Sequence, residues 1–198
     1  MKKVVVMGGG TGSFTVLRGL KEYPVDISAI VSMSDDGGST GILRDELGVL
    51  PSGDIRQCLV ALSESSQEMR ELINYRFEEG SLKGHSFGNL LLSALEKTSG
   101  GFSKGVEEAM RILKVKGEVI PVTEDDVRLN AELRSGEVLC GETNIDNGNM
   151  QDSGVRRVFY QKDARANPKA IDRIANADLI IIGPGSCLLY TSPSPRDS

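Results

Sequence analysis

Residues 3–13 read Lys3-Val4-Val5-Val6-Met7-Gly8-Gly9-Gly10-Thr11-Gly12-Ser13. An apolar run of strand length gives way to a triple-glycine turn, and Phe14 to Glu22 then carries helix-like spacing. A strand, a glycine turn and a helix in that order make an anion site. Backbone N–H groups point outward, the helix dipole favours negative charge, and side chains larger than hydrogen would keep a phosphate off the backbone. The segment approximates G-x-G-x-x-G with Ser13 in the third glycine position. It lacks the lysine of a P-loop, so no Walker-type triphosphatase is indicated. The alternative is an ordinary tight turn between strand and helix.

Working outward, Ile27 to Met33 reads as a second strand, so the chain opens β-α-β with its phosphate-type turn in the first connection. Asp35-Asp36-Gly37-Gly38-Ser39 follows that strand. An acidic residue at this place binds ribose hydroxyls in dinucleotide folds. The pair Asp35 and Asp36 could also hold Mg²⁺, directly or through water, and a solvated Asp-Asp-Gly-Gly turn remains the alternative. Arg44 and Asp45, a helical turn further on, are ambiguous.

Pro51 to Arg56 opens a helix over 54–63, with Asp54 read as its N-cap. Arg56 in the first turn opposes the dipole, which an anion facing it would explain; a solvated arginine is the other reading. Gly84-His85-Ser86-Phe87-Gly88-Asn89 precedes a helix over 87–97. His85 is the chain's single histidine. Set beside Ser86 and Asn89 at a helix start, it is a ligand or acid–base candidate. Further helices are expected over 66–77, 103–114 and 168–176, the last with Pro168 in its first turn.

From 118 the pattern turns to strands: 118–122, then a hairpin of 127–133 and 137–143 about Ser135-Gly136, then 155–160. An Asn/Gly/Asp-rich loop is expected over 144–154. Asp178 to Ile182 is continuously apolar after its first residue, as for a strand covered on both faces, and runs into Gly183-Pro184-Gly185-Ser186. Three of the four glycine turns follow strands and so can converge on one sheet edge, where open α/β sheets bind their ligands.

The bulk properties narrow the classes. The 198 residues suffice for one domain, and the composition, 39% hydrophobic and 26% charged, is that of a globular protein. A net charge of −5 offers no nucleic-acid footprint. No apolar run reaches membrane-spanning length, and the cytoplasm is the expected compartment. Cys58, Cys140 and Cys187 form no CxxC pair, so neither a disulfide framework nor a zinc site is indicated.

Five segments together resemble a known family: Gly8 to Leu20, Asp35 to Leu47, Pro51 to Ser63, Gly84 to Leu92 and Asp178 to Ser186. They look like the CofD-like superfamily, and within it the YvcK-type gluconeogenesis factors, also called uridine diphosphate-sugar-binding proteins. The resemblance implies a Rossmann-like three-layer α/β fold with a mainly parallel sheet and a nucleotide held between the glycine turns. The hairpin would be an insertion. It implies a nucleotide-sugar-binding regulator of carbon use and cell shape, open to forming a homo-oligomer. The other branch of the superfamily is a 2-phospho-L-lactate transferase using Mg²⁺, and that is the alternative; no cofactor is otherwise expected. An NAD-binding oxidoreductase fragment is disfavoured by the Asp-Asp-Gly-Gly turn.

Residues 187–198 resemble one reading frame of a sequencing adaptor. The expectation is a nucleotide-binding domain over 1–186, lacking its C-terminal part, followed by an added tail.

Overall fold

The computed structural model describes residues 1–147 and 154–184. Gly185, Ser186, the tail and residues 148–153 of the expected loop lie outside the described residues. The chain opens with β1 (Lys2–Gly8), α1 (Gly10–Leu20) and β2 (Val25–Val31). Four helices follow: α2 (Gly38–Leu47), α3 (Gly53–Leu62), α4 (Gln67–Asn74) and α5 (Phe87–Ser99). Then come α6 (Phe102–Ile112), β3 (Glu118–Pro121), β4 (Leu129–Leu133), β5 (Val138–Cys140) and α7 (Glu142–Asn147). The described chain closes with β6 (Val155–Tyr160), α8 (Pro168–Ala175) and β7 (Leu179–Ile182).

The main sheet is parallel, in the order β3-β2-β1-β7. Alternation along its strands sorts side chains to two faces. Val6, Ile27, Ala29 and Val31 pack with Leu17, Leu59 and Val106 in the larger core, beneath α1, α3, α5 and α6. Val5, Ile30 and Ile120 pack with Ala170 of α8 in a smaller core on the other face. The result is the expected three-layer α/β arrangement. A second, antiparallel sheet, β5-β4-β6, branches off after β3. It is fastened to α2 by Arg44, which is buried, pairs with Asp126 and donates to the Val127 carbonyl at 2.8 Å. Asp45 pairs with Arg128 beside it.

Local chemistry accounts for several helix ends. The Ser86 hydroxyl accepts from the Asn89 N–H to start α5, and Gly100 closes that helix in the left-handed conformation. The Asn167 side chain accepts from the Lys169 N–H ahead of Pro168 at the start of α8. Ser66 caps α4 in the same way, but that helix stops at Asn74 rather than 77, because Arg76 leaves it to bridge with Ser86.

Two other expectations change. The expected loop after the hairpin begins with a helical turn, α7. The Asp36 carboxylate accepts both the N–H and the hydroxyl of Thr143 there, satisfying a first-turn donor. The second glycine turn enters a full helix, α2, whose buried face includes Ser39, Thr40 and Leu43. Among the described residues β7 is the outer strand of the main sheet, with Leu179, Ile180 and Ile182 exposed, the apolar surface expected of a chain lacking its C-terminal part.

Candidate functional site

β1 and β2 pair in register, from Lys2 with Val25 to Gly8 with Val31, and so deliver the first two glycine turns to the same carboxyl edge of the sheet. Gly9 takes extended backbone and caps α1. Gly10, Thr11, Gly12 and Ser13 therefore form the first turn of the helix rather than a loop before it, which moves its start four residues ahead of Phe14. Helical N–H groups in that turn have no intrahelical partner, the condition for receiving an anion.

The fourth turn meets the first. The Gly183 N–H donates to the Met7 carbonyl at 2.8 Å, and a Cβ on Gly12 would collide with the carbonyl of Pro184. Ser13, buried, has its hydroxyl between Gly8 and Gly183 with no hydrogen-bond partner among the described residues. It closes the seam between the two turns and does not face the ligand space.

A cleft of about 530 Å³ opens where these turns face β2 and α3. Gly9, Gly10, Thr11, Gly12 and Pro184 line one side. Asp35 and Asp54 stand opposite, and Ser32, Gln57, Glu142 and Asp146 complete the wall. Among the described residues, all the charged ones in this lining are acidic, which a bare phosphate cradle does not predict. Asp54 is not the cap of α3, because the helix begins at Gly53 with Ser52 in the cap position. Its side chain instead crosses to the first turn. A Cβ on Gly9 would collide with Asp54 Oδ2, so only glycine at 9 allows the approach. Burial pushes the Asp54 carboxyl up to about 6, the Asp35 charge adds to the rise, and the Gly10 N–H and Arg56 oppose it. Burial likewise pushes Glu142 up to about 7, with Asp54 and Asp35 adding and a 3.2 Å hydrogen bond from the Ser34 hydroxyl opposing.

Asp35 and Asp36 part company. Asp35 Oδ1 accepts the Gly37 N–H at 2.9 Å while the residue lines the cleft. Asp36 turns to Thr143 and positions α7. Gly37 caps α2 and Gly38 begins it, so this turn contributes Asp35 alone to the lining.

The remaining candidates form a buried polar network behind the cleft rather than its wall. Ser39 Oγ lies 3.1 Å from His85 Nδ1 and accepts weakly from the Ser86 N–H. Asn89 donates to Thr40 Oγ1 at 3.4 Å and accepts from Arg56 Nε at 3.1 Å. Arg56 also donates to Asn74 Oδ1 at 2.6 Å. His85, Ser86, Asn89 and Arg56 thus lock α2, α3, α4 and α5 together, and Arg56 meets neutral amides rather than being solvated.

Sequence reasoning did not single out Ser32, Gln57, Glu142 and Asp146. Gln57 lies three residues after Asp54 on one face of α3, and Glu142 and Asp146 are spaced i, i+4. The second spacing was a usable signal, hidden by the loop-like composition around it.

A larger cavity of 740 Å³ lies elsewhere, between α1, α3 and α4, and includes Arg18, Lys21 and Arg70. None of the glycine turns reaches it. Lys21 donates to the Ser63 carbonyl and Arg70 to the Ser65 carbonyl, at and just beyond the C-terminal end of α3.

A Rossmann-like α/β domain with glycine turns and an acidic cleft at the carboxyl edge of its parallel sheet is the class this geometry defines. The family model described as 2-phospho-L-lactate transferase CofD matches residues 4–196, and the chain belongs to that family. A Bacillus subtilis protein named gluconeogenesis factor is 46% identical over 196 residues, covering 98% of this chain and 60% of the relative. A Halalkalibacterium halodurans protein of the same name is 45% identical over 197 residues, covering 98% and 60%. A crystal structure of a Bacillus halodurans protein superposes with a TM-score of 0.89 at 45% identity, covering 96% of this chain and 60% of that one. The chain therefore spans about 60% of the length of these relatives.

Mg²⁺, implied by the transferase branch, can be tested against the residues present. Among the described residues no group of three or more His, Cys, Asp or Glu side chains is placed to hold a metal. Mg²⁺ does not need one, since it is commonly held by one or two carboxylates together with substrate phosphates. Asp35 and Asp54, both lining the cleft, fit that smaller role; Asp36, engaged by Thr143, does not. Among the described residues no helix is long and apolar enough to cross a membrane.

Proposed function

We propose that this domain binds a nucleotide-sugar in the cleft between the first glycine turn and Asp35, and that it serves a cytoplasmic regulator of carbon metabolism and cell shape of the gluconeogenesis-factor type. The observation that carries the reading is the placement of Gly9 to Gly12 opposite Asp35 at the carboxyl edge of adjacent parallel strands. That edge is where α/β sheets take a pyrophosphate on a helix N-terminus and a ribose on an acid after the second strand. The relatives' name, gluconeogenesis factor, supports the link to carbon metabolism.

The second reading, transfer of a phospholactyl group, is favoured by the family model and by the two cleft carboxylates. In it Asp35 and Asp54 would hold a phosphate-borne Mg²⁺, which supplies charge neutralisation at the transferring group. The test is a binding panel of uridine diphosphate-sugars, guanosine nucleotides and NAD, each with Mg²⁺ and with a chelator. Saturable binding of a uridine diphosphate-sugar with no turnover supports the regulator. Preference for NAD, or transfer of phospholactate to a deazaflavin acceptor, overturns it.

A further inference from the structure

The larger cavity, about 740 Å³ between α1, α3 and α4, is lined by none of the glycine turns and reverses the sign of the chain. The whole sequence carries a net charge of −5. Here Arg18, Lys21 and Arg70 line one space, and Glu22 is the one carboxylate among the described lining residues. Arg18 and Lys21 sit at the C-terminal end of α1, and Arg70 comes from α4. The bland account is helix capping. Cations complement the dipole at a helix C-terminus, and Lys21 and Arg70 donate to the Ser63 and Ser65 carbonyls at 2.9 Å and 2.5 Å. Each of those bonds takes one N–H of the several that a lysine or arginine carries. None of the three cations is in an ion pair among the described residues. Burial lowers the Lys21 ammonium from its ordinary range and the Arg70 charge lowers it further, with Glu22 and Glu64 opposing. Capping explains cations at the end of one helix. It does not explain why a second helix brings another across a cavity, where an anion would turn repulsion into attraction.

We propose that this cavity is a second ligand site, taking a small metabolite with two or more anionic groups, phosphates or carboxylates, on the side chains of Arg18, Lys21 and Arg70. Guanidinium forks match either group bidentately, and the ammonium adds a point charge. Three cations less Glu22 leave a surplus of two, which sets the charge the ligand has to bring. The volume lies within the range of small-ligand sites, and Phe14 and Val60 give an apolar wall for a carbon body. The site is independent of the nucleotide reading of the cleft. The two spaces are built on α1 and α3 in common and share no lining residue.

The experiment titrates inorganic pyrophosphate and citrate into the full chain by calorimetry, at fixed ionic strength and without divalent ions. Arg18→Gln removes an exposed cation that makes no ion pair, so the fold should tolerate it. Arg70→Gln removes the cation on the other helix, and Arg18→Gln keeps the test usable if that variant fails to fold. Lys104→Gln removes an exposed cation from α6, outside the cavity lining, and controls for bulk charge. The expected result is saturable binding of at least one probe to wild type. That affinity should fall at least about fivefold, or about 1 kcal/mol, in Arg18→Gln and in folded Arg70→Gln. In Lys104→Gln it should change by less than about twofold. Pyrophosphate alone binding assigns the site to phosphates, citrate alone to carboxylates. Saturable binding of neither probe, or a loss in Arg18→Gln no larger than in Lys104→Gln, overturns the proposal. If pyrophosphate binds wild type and both arginine variants alike, it sits elsewhere, as the glycine-turn cleft would have it, and the cavity proposal falls while the nucleotide reading stands.

Discussion

Replacing Asp54 by Asn should stabilise the unliganded protein at neutral pH, by an amount that disappears in acid. An unfolded Asp titrates near 3.8, and in the folded chain burial and the Asp35 charge raise Asp54 to about 6. Below about pH 4 the carboxyl is protonated in both states and contributes nothing. As pH rises from 4 through 6 the unfolded chain releases its proton first. The folded state binds more protons over that window, so its stability falls with pH. A rise of about two pH units corresponds to about 3 kcal/mol at full value. The cleft is open to water, and the Gly10 N–H and Arg56 offset part of the penalty, so about 1–3 kcal/mol is the expected range. Asn keeps the shape without the charge. For a chain of this size the gain corresponds to roughly 2–12 °C in melting temperature. Thermal and urea unfolding of wild type and Asp54→Asn at intervals from pH 4 to 8 reads the effect directly. A variant no more stable than wild type at pH 7.5 would refute the reasoning. So would an advantage that is the same at pH 4 as at pH 7.5, since that would place its origin in packing rather than in charge.

Three further outcomes follow from the same geometry. Glu142→Gln should also stabilise the protein above about pH 7, where its carboxyl is charged. The Asp54→Asn/Glu142→Gln double variant should gain less than the sum, because each carboxylate raises the other's penalty; a double-mutant cycle by urea unfolding measures the deficit. Gly12→Ala forces a methyl onto the Pro184 carbonyl and should cost about 1–3 kcal/mol in unfolding free energy; a neutral effect would separate the first and fourth turns. His85→Ala should lower stability by about 1–3 kcal/mol by leaving Ser39 without its buried partner, and nucleotide affinity should change by less than about threefold, or about 0.7 kcal/mol. A large affinity loss with intact stability would move His85 into the cleft wall.

The sheet and its first turn were legible because their signals are local. Lys3 to Met7, the triple glycine and the strand after it each fit one template, and parallel order follows from the helical crossovers between strands. Boundaries were less legible where a residue's partner lies far along the chain. Asp54 has the type and place of a helix cap, and nothing within ten residues of it reveals that it crosses to Gly9, forty-five positions earlier. Asp36 looks like half of a carboxylate pair, yet its partner is Thr143, so adjacency in sequence separated the two acids in space.

The same distinction bears on the site. Glycine turns announce that backbone must come close to something, and four of them suggested phosphate. At Gly12 the close approach is to the Pro184 carbonyl, and at Gly9 it is to a carboxylate of the protein itself. A glycine signature therefore reports crowding without naming the occupant. Here the occupant at Gly9 is an anion, the kind of group a helix N-terminus attracts. The crowding at the turn was thus readable from sequence even though its partner, an acid from α3, was not.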